Sequence, residues 1–394
     1  MRIALCHDYI DPSRGGCETY IVDLANRLAS DGHEVTLIAR RVERGRLHPA
    51  VLTHLVDFPA YPRFLKPYRY TRVLQSHLSR FRYDVSVGFD KCWGVDILFP
   101  QGGLHSASAR ANLCKDRSPT LRLLRAFAQL LDPAKRAYAR IEQIQYVLVP
   151  PRRIIVNSQM TANHFMQQLR INPTPITVIH SAISPQRFNS AIQQDSRKEW
   201  RRRLSIADAV PLGLFLATNY RLKGLEPLIH SLTYLPTDQP FQLLVAGNNR
   251  FAPYLRLARR LGVDHRLHFI GHCADTQHLY FAADLLIHPT FYDPCSLVAL
   301  EAIYCGLPVI TTRMNGAAEL LNPQCAMVID DPHDHPSLAR AIVELVAAPA
   351  RLNAAKHAAR LAATAWTFNH HYQRILAVFA EVAQSKQTLH HRAG

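Results

Sequence analysis

Leu285-Leu286-Ile287-His288-Pro289, then Tyr292-Asp293-Pro294-Cys295-Ser296-Leu297-Val298-Ala299-Leu300-Glu301-Ala302, then Cys305-Gly306-Leu307-Pro308-Val309-Ile310-Thr311-Thr312 read as strand, loop, helix and strand. The outer runs are short, apolar and continuous, the pattern of strands buried on both faces. Two carboxylates stand eight positions apart: Asp293 in the loop and Glu301 two turns into the helix. The helix start at Ser296, Leu297 and Val298 offers free backbone N–H groups and a positive dipole end. A phosphate fits there. Asp293 can reach sugar hydroxyls, and Glu301 a ribose diol. Taken alone, the two acids read equally well as a turn residue and a solvated helix residue. The Gly-Leu-Pro-Val strand closing the unit favours the binding reading.

The same grammar extends outward. Leu212–Ala217, Phe241–Gly247 and Leu267–Gly271 are further apolar runs separated by helical segments, so a second doubly wound sheet is expected. The N-terminal half carries its own unit. Ile3-Ala4-Leu5 precedes a polar turn, Asp11-Pro12-Ser13-Arg14-Gly15-Gly16. Tyr20, Leu24 and Leu28 then recur at helical spacing, and Val35–Ala39 is the next strand. That is a βαβ unit, and it implies a parallel sheet. Val85–Phe89, Val95–Phe99, Ile154–Ser158 and Ile176–His180 add strand candidates, and Thr120–Tyr146 reads as a basic helical stretch.

A chain of 394 residues is too long for one ordinary core. Two Rossmann-like domains are expected, 1–183 and 184–365, with a hinge in the Pro-punctuated stretch Ser184–Phe188. Residues 366–394 form a last segment, opened by Trp366-Thr367-Phe368. Ligands of such sheets sit outside the carboxyl ends of the strands, so a cleft between the domains is the expected site.

Composition narrows the classes. Hydrophobic residues make up 48% and charged residues 19%, a globular balance. No run of about 18 apolar residues occurs, so no membrane-spanning helix is expected. Polar residues follow Met1 too soon for a secretory signal, and a cytoplasmic protein is the expectation. The eight cysteines show no C-x2-C spacing, which argues against a zinc site or a disulfide framework. No G-x-G-x-x-G occurs, which disfavours a dinucleotide cofactor.

The formal net charge is +16, and residues 1–180 carry 25 Lys/Arg against 14 Asp/Glu. Such a field suits an anionic partner. Residues 61–82 hold Arg63, Lys66, Arg69, Arg72, Arg80 and Arg82 with no acid. Residues 110–140 interleave cations with Leu121, Leu123, Leu124, Phe127 and Leu131, a pattern that can lie on an anionic bilayer or bind a phosphorylated lipid. No nucleic-acid module is recognisable, so a nucleic-acid partner is not expected.

These motifs give the chain a family likeness. It resembles glycosyltransferase family 4, whose donor motif is E-x7-E followed by a Gly-Leu-Pro-Val strand. Within that family it looks most like the lipopolysaccharide core glucosyltransferase I group. The likeness covers nearly the whole chain: the Gly15-Gly16 loop, Val87-Gly88-Phe89-Asp90-Lys91, Asn219-Tyr220-Arg221-Leu222-Lys223-Gly224 and the acidic motif. Asp293 stands where the family usually has its first Glu. In the loop Gln101-Gly102-Gly103-Leu104-His105, Gly102 stands where the closest group tends to have an acid, so no catalytic acid is carried over.

The resemblance implies a GT-B fold and a retaining, metal-independent hexosyltransferase. The donor would be a nucleoside-diphosphate sugar, UDP-glucose first, held by the C-terminal domain. Arg221 and Lys223 would hold the diphosphate, stabilising charge that grows as the glycosidic bond breaks. Gly15 and Gly16 would lie against the phosphates, with Ser296, Leu297 and Val298 at the helix start. Asp293 would bind the sugar, Glu301 the ribose, and His105 the sugar or acceptor. No cofactor is implied. The acceptor would be a glycan or glycolipid such as lipopolysaccharide core, met at the inner face of a membrane by a peripherally bound protein. The last helix would cross back to the N-terminal domain. Two other classes compete: a catalytically idle nucleotide-sugar binder and a basic nucleic-acid-binding protein. A sugar-nucleotide epimerase is the nearest enzymatic alternative.

Overall fold

The computed structural model describes residues 1–393 other than Arg14, Arg117 and Trp366. Arg14 of the first polar turn and Trp366 before the last helix thus lie outside the described residues. The chain divides into two units, Met1–His180 with Asn369–Gly394, and Ser181–Phe368.

The described residues of the first unit build a seven-stranded sheet. Its strands are β1 (Arg2–Cys6), β2 (Glu34–Ala39), β3 (Leu52–Leu55), β4 (Val85–Gly88), β5 (Ile97–Leu98), β6 (Arg153–Val156) and β7 (Ile176–Val178). The order is β3-β2-β1-β4-β5-β6-β7, with every pairing parallel. Ile3, Ala4, Leu5 and Cys6 are fully buried, as expected for a central strand covered on both faces. The expected strand Val95–Phe99 shrinks to Ile97–Leu98. Asp96 is drawn into side-chain bonds instead. Its carboxylate accepts from the Ser86 amide at 2.9 Å and the Ser86 hydroxyl at 2.7 Å.

The basic stretch 120–146 is two helices, Pro119–Leu131 and Pro133–Gln143, followed by a π turn at Ile144–Leu148. Asp132 makes the break. Its carboxylate accepts from the Ala134 amide at 2.9 Å, and Pro133 takes the first helical position, where its missing N–H costs nothing. The last helix, Phe368–Ala393, belongs from Asn369 onward to the first unit. Tyr372, Ile375 and Phe379 on it are fully buried. His371 bridges the Tyr20 hydroxyl and the His180 carbonyl, each at 2.7 Å.

The second unit holds a six-stranded sheet, also parallel throughout. Its strands are β8 (Leu212–Leu216), β9 (Gln242–Ala246), β10 (Leu267–Gly271), β11 (Leu285–His288), β12 (Val309–Thr312) and β13 (Ala326–Ile329), in the order β10-β9-β8-β11-β12-β13. Successive side chains alternate between two cores. Phe215, Val245 and Ile287 join one, while Leu214, Leu216 and Leu286 join the other.

In both sheets the chain builds outward to one side of its first strand, then restarts on the other side. The reversal lies between β1 and β4 in one unit and between β8 and β11 in the other. Crevices at carboxyl strand ends beside such reversals are where open α/β sheets bind ligands.

Candidate functional site

The second unit assembles most of the expected donor residues at the reversal between β8 and β11. After β8 the chain makes a turn at 219–224. The Asn219 carboxamide accepts from the Leu222 amide at 3.1 Å, and the Asn219 carbonyl from the Lys223 amide at 3.0 Å. Gly224 then starts a helix with φ +81°, and an added Cβ would sit 2.0 Å from the Pro289 carbonyl oxygen. Only glycine permits that approach. The Thr290 hydroxyl lies 3.2 Å from the Leu222 carbonyl and 3.1 Å from that of Tyr292, and the Phe291 amide donates to Leu222 at 2.9 Å. The loops after β8 and β11 are thereby stitched together.

That stitching sets the charges. Lys223 Nζ lies 2.6 Å from Asp293 Oδ2 and donates to the Tyr292 carbonyl at 3.1 Å. Asp293 is itself fixed through its backbone, bonding to the Met314 carbonyl and the Gly316 amide at 2.9 and 2.8 Å. Arg221 is exposed one residue before Leu222, close enough to Tyr254 for its charge to act on that phenol.

The next helix runs Leu297–Tyr304. Ser296 caps it, its hydroxyl accepting from the Ala299 amide at 3.4 Å, while the Ser296 amide donates to the Asn315 carboxamide at 3.1 Å. Leu297 and Val298 occupy the first two helical positions, whose amides have no intrahelical acceptor. The helix ends at Gly306, φ +79°, with Leu307 N donating to Ala302 O at 2.8 Å and Gly306 N to Ile303 O at 2.9 Å. This left-handed cap explains the glycine of the Gly-Leu-Pro-Val run and turns the chain into β12.

Glu301 is 5% exposed, and both its oxygens are engaged. Arg187 Nη1 donates to Oε1 at 2.7 Å and the Tyr280 hydroxyl to Oε2 at 2.6 Å. Neither partner was signalled by the motif. His288, at the end of β11, is also new. It is buried, with Nδ1 3.4 Å from the Ser296 hydroxyl and Nε2 without a partner among the described residues. Burial, then the Lys223 charge, lowers its pKa to about 4, so the ring is neutral at pH 7.

Gly15, Gly16 and His105 belong to the first unit. Gly15 is extended (φ 170°) and caps the helix Gly16–Ser30, whose first turn holds Cys17 and Glu18. His105 opens a later helix, its amide donating to the Glu142 carboxylate, and Ser106 N lies 3.2 Å from Glu142 Oε2.

 

That helix spans His105–Cys114, and the buried Glu142 carboxylate occupies its N-terminus. Burial raises the Glu142 pKa and, with the charges of Lys91 and Lys135, lowers that of His105. The His105 ring packs 4.9 Å from Tyr138, with Nε2 unpartnered among the described residues. Tyr138 lines a cavity of about 130 Å³ at the carboxyl ends of β1 and β4, together with His7, Asp8, Lys66, Asp90 and Lys91. Asp8 pairs with Lys66 and with Arg40, and Lys91 lies 3.0 Å from Asp90. The sequence marked Asp90 and Lys91 only as part of a familiar segment. His7, Asp8 and Lys66 gave no motif, because distant parts of the chain deliver them. Asn157 and Ser158 take structural roles: Asn157 donates to the Gln101 carbonyl at 3.1 Å, and Ser158 caps the helix Gln159–Leu169.

Two family models match. Glycosyltransferase Family 4 covers residues 14–187, and Glycosyl transferases group 1 covers 196–362. The lipopolysaccharide glucosyltransferase WaaG of Escherichia coli K12 is 26% identical over 354 residues, 89% of this chain and 91% of that protein. A crystal structure of WaaG superposes with a TM-score of 0.79 at 24% identity, covering 96% of this chain and 99% of that one. Anabaena HepE in complex with UDP-glucose gives 0.71 at 18% identity, covering 97% and 100%. At these identities the structures speak for the fold, two Rossmann-like halves of the GT-B kind.

Proposed function

Because the chain belongs to the family 4 glycosyltransferases, we propose that it moves a hexose from a nucleoside-diphosphate sugar to a glycan acceptor, with retention at the anomeric carbon. One observation carries the reading. Lys223, Asp293 and the open amides of Leu297 and Val298 gather at the carboxyl ends of β8 and β11. A cation and a helix N-terminus are what a diphosphate needs, and a carboxylate beside them can accept from sugar hydroxyls.

In this reading Lys223 and Arg221 hold the diphosphate and Glu301 the ribose. As the anomeric C–O bond to phosphate breaks, negative charge grows on the leaving oxygen, and the two cations stabilise it without a metal. The acceptor oxygen bonds to the anomeric carbon on the face the phosphate leaves, and its proton passes to that phosphate. No protein nucleophile or base is assigned. Gly15 and Gly16 back the phosphates, and His105 meets the sugar or acceptor. The likeness to WaaG favours UDP-glucose and a lipopolysaccharide core acceptor as first choices.

The test is release of the nucleoside diphosphate (UDP or GDP) from a panel of UDP- and GDP-sugars, with and without deacylated lipopolysaccharide core, for the wild type, Lys223→Ala and Glu301→Ala. Acceptor-dependent release from one donor is expected. Removing one such charge-stabilising donor costs about 10²–10³ in kcat. Nucleotide binding without release from any donor would replace the transferase by an idle binder. Donor conversion without acceptor would replace it by an epimerase.

The acceptor's lipid fits a second feature. Leu123, Leu124, Phe127, Leu130 and Leu131 of the helix Pro119–Leu131 are 62–75% exposed, and no residue of that helix is buried. Arg122, Arg125, Lys135, Arg136 and Arg140 lie on it and the helix that follows. Among the described residues no helix is long and apolar enough to cross a membrane. We read this helix as lying on an anionic bilayer, which would make the protein peripheral on the inner membrane face. Co-sedimentation with phosphatidylglycerol vesicles, lost in Leu123→Ser/Leu124→Ser/Phe127→Ser, checks it. Retained binding by the triple variant would remove the helix from the interface.

A further inference from the structure

The buried acid of the donor motif is held by a residue more than a hundred positions earlier in the chain. We propose that Arg187, together with Tyr280, is a positioning device that fixes the Glu301 carboxylate for the vicinal hydroxyls of a nucleotide ribose. The proposal rests on the donor reading given above.

Glu301 receives one donor on each oxygen, Arg187 at 2.7 Å and Tyr280 at 2.6 Å. A carboxylate offers about four lone-pair sites. One bond on each oxygen leaves one open on each, which suits two adjacent hydroxyls. The phenol stays a donor across the working pH range, because burial and then the Glu301 charge push its pKa well above the ordinary value.

Both donors are held in place by visible contacts. Arg187 ends a short 3-10 turn, Pro185–Arg187, closed by Arg187 N to Ser184 O at 3.2 Å and Phe188 N to Pro185 O at 3.0 Å. Its guanidinium lies 5.8 Å from the Phe188 ring centroid. That ring packs against Tyr280 at 6.1 Å and Tyr304 at 5.3 Å. The Asn189 amide donates to Gln277 Oε1 at 3.1 Å, tying this segment to the helix Gln277–Ala282 that carries Tyr280. The Glu301 side chain therefore has little rotational freedom left before any ligand arrives, and a diol meeting it spends little entropy on ordering. Without Arg187 a buried carboxylate would keep one neutral donor, and its charge would have to be relieved by turning or protonation.

A salt bridge that served folding alone would leave ribose recognition unchanged, so the readout is discrimination of the 2′-hydroxyl. The probes are UDP and GDP, each beside its 2′-deoxy form, titrated by calorimetry into wild type, Glu301→Gln, Arg187→Met, Arg187→Lys and Tyr280→Phe, with thermal melting to confirm folding. The wild type is expected to bind the ribose form ~10-fold tighter, in line with hydrogen bonds to a charged group. Arg187→Met brings the ratio to ~1–3, Tyr280→Phe lowers it less, and Arg187→Lys recovers part of it. If Arg187→Met does not fold, the Tyr280→Phe and Arg187→Lys ratios decide. Discrimination lost in Glu301→Gln but kept in the Arg187 and Tyr280 variants overturns the positioning role and spares the donor reading. A wild type that binds neither nucleotide overturns both.

Discussion

At the carboxyl ends of β1 and β4, Asp8, Lys66, Asp90 and Lys91 ring a cavity of about 130 Å³. At the carboxyl ends of β8 and β11, Lys223 is drawn onto Asp293, and Glu301 onto Arg187 and Tyr280. The two units share one topological device and furnish it differently. In the second, the charged groups are bonded to each other and to backbone, so the geometry exists before a ligand does. In the first, ion pairs line an open space. Preorganised charge suits stabilisation of a reacting diphosphate, where movement during reaction is costly. Paired acids and bases around a space suit a polyol, whose hydroxyls both donate and accept.

The largest expected effect asks whether the units respond alike to acid. Each buries at least one histidine whose pKa is lowered to about 4, chiefly by burial: His77 and His371 in the first, His288 in the second. Below the ordinary histidine value near 6.5 the unfolded chain takes up these protons and the folded chain does not. Stability is therefore full above about pH 6.5 and is lost as pH falls toward 4, by about 3 kcal/mol for each of the His288 and His371 rings. Urea unfolding between pH 7 and 4 measures it. His288→Gln and His371→Gln are each expected to flatten the profile by a similar amount. If only His371→Gln does so, the symmetry of the two units fails at this point, and the His288 ring, whose Nε2 has no partner among the described residues, takes up a proton in the folded chain.

A smaller effect sharpens the division of labour. Lys91→Ala is expected to raise the acceptor KM ~10-fold, as loss of a charge-assisted hydrogen bond would, and to leave the donor KM unchanged. Lys223→Ala is expected to act on donor turnover. Initial rates with each substrate varied in turn separate these outcomes. A donor KM that rises in Lys91→Ala would place the first cavity on the donor instead.

Legibility followed the way each site is spread along the chain. The second site was readable because Asp293, Ser296 and Glu301 come from one segment, and Lys223 stands directly before Gly224, the residue type that its φ of +81° favours. The buried apolar runs likewise announced both sheets. Arg187 and Tyr280 stayed hidden, since a lone Arg in a Pro-rich turn and a Tyr in an apolar helix carry no spacing that ties them to Glu301. The first cavity was hidden for the same reason, with walls from residues as distant as Asp8 and Tyr138. Periodicity ran the helices of residues 120–146 together, because both are amphipathic on either side of Asp132, and only the cap geometry separates them. Val95–Phe99 read as a full strand because hydropathy does not register that Ser86 claims Asp96.

Gly224 set against the Pro289 carbonyl, with the Thr290 hydroxyl spanning Leu222 and Tyr292, makes two loops into a single mechanical part. A pull on the Lys223 side chain is transmitted to the Asp293 backbone as through a rivet. On the donor reading proposed above, contact with phosphate at Lys223 and contact with sugar at Asp293 would register in one motion, and a molecule carrying only one of the two groups would work against the whole joint.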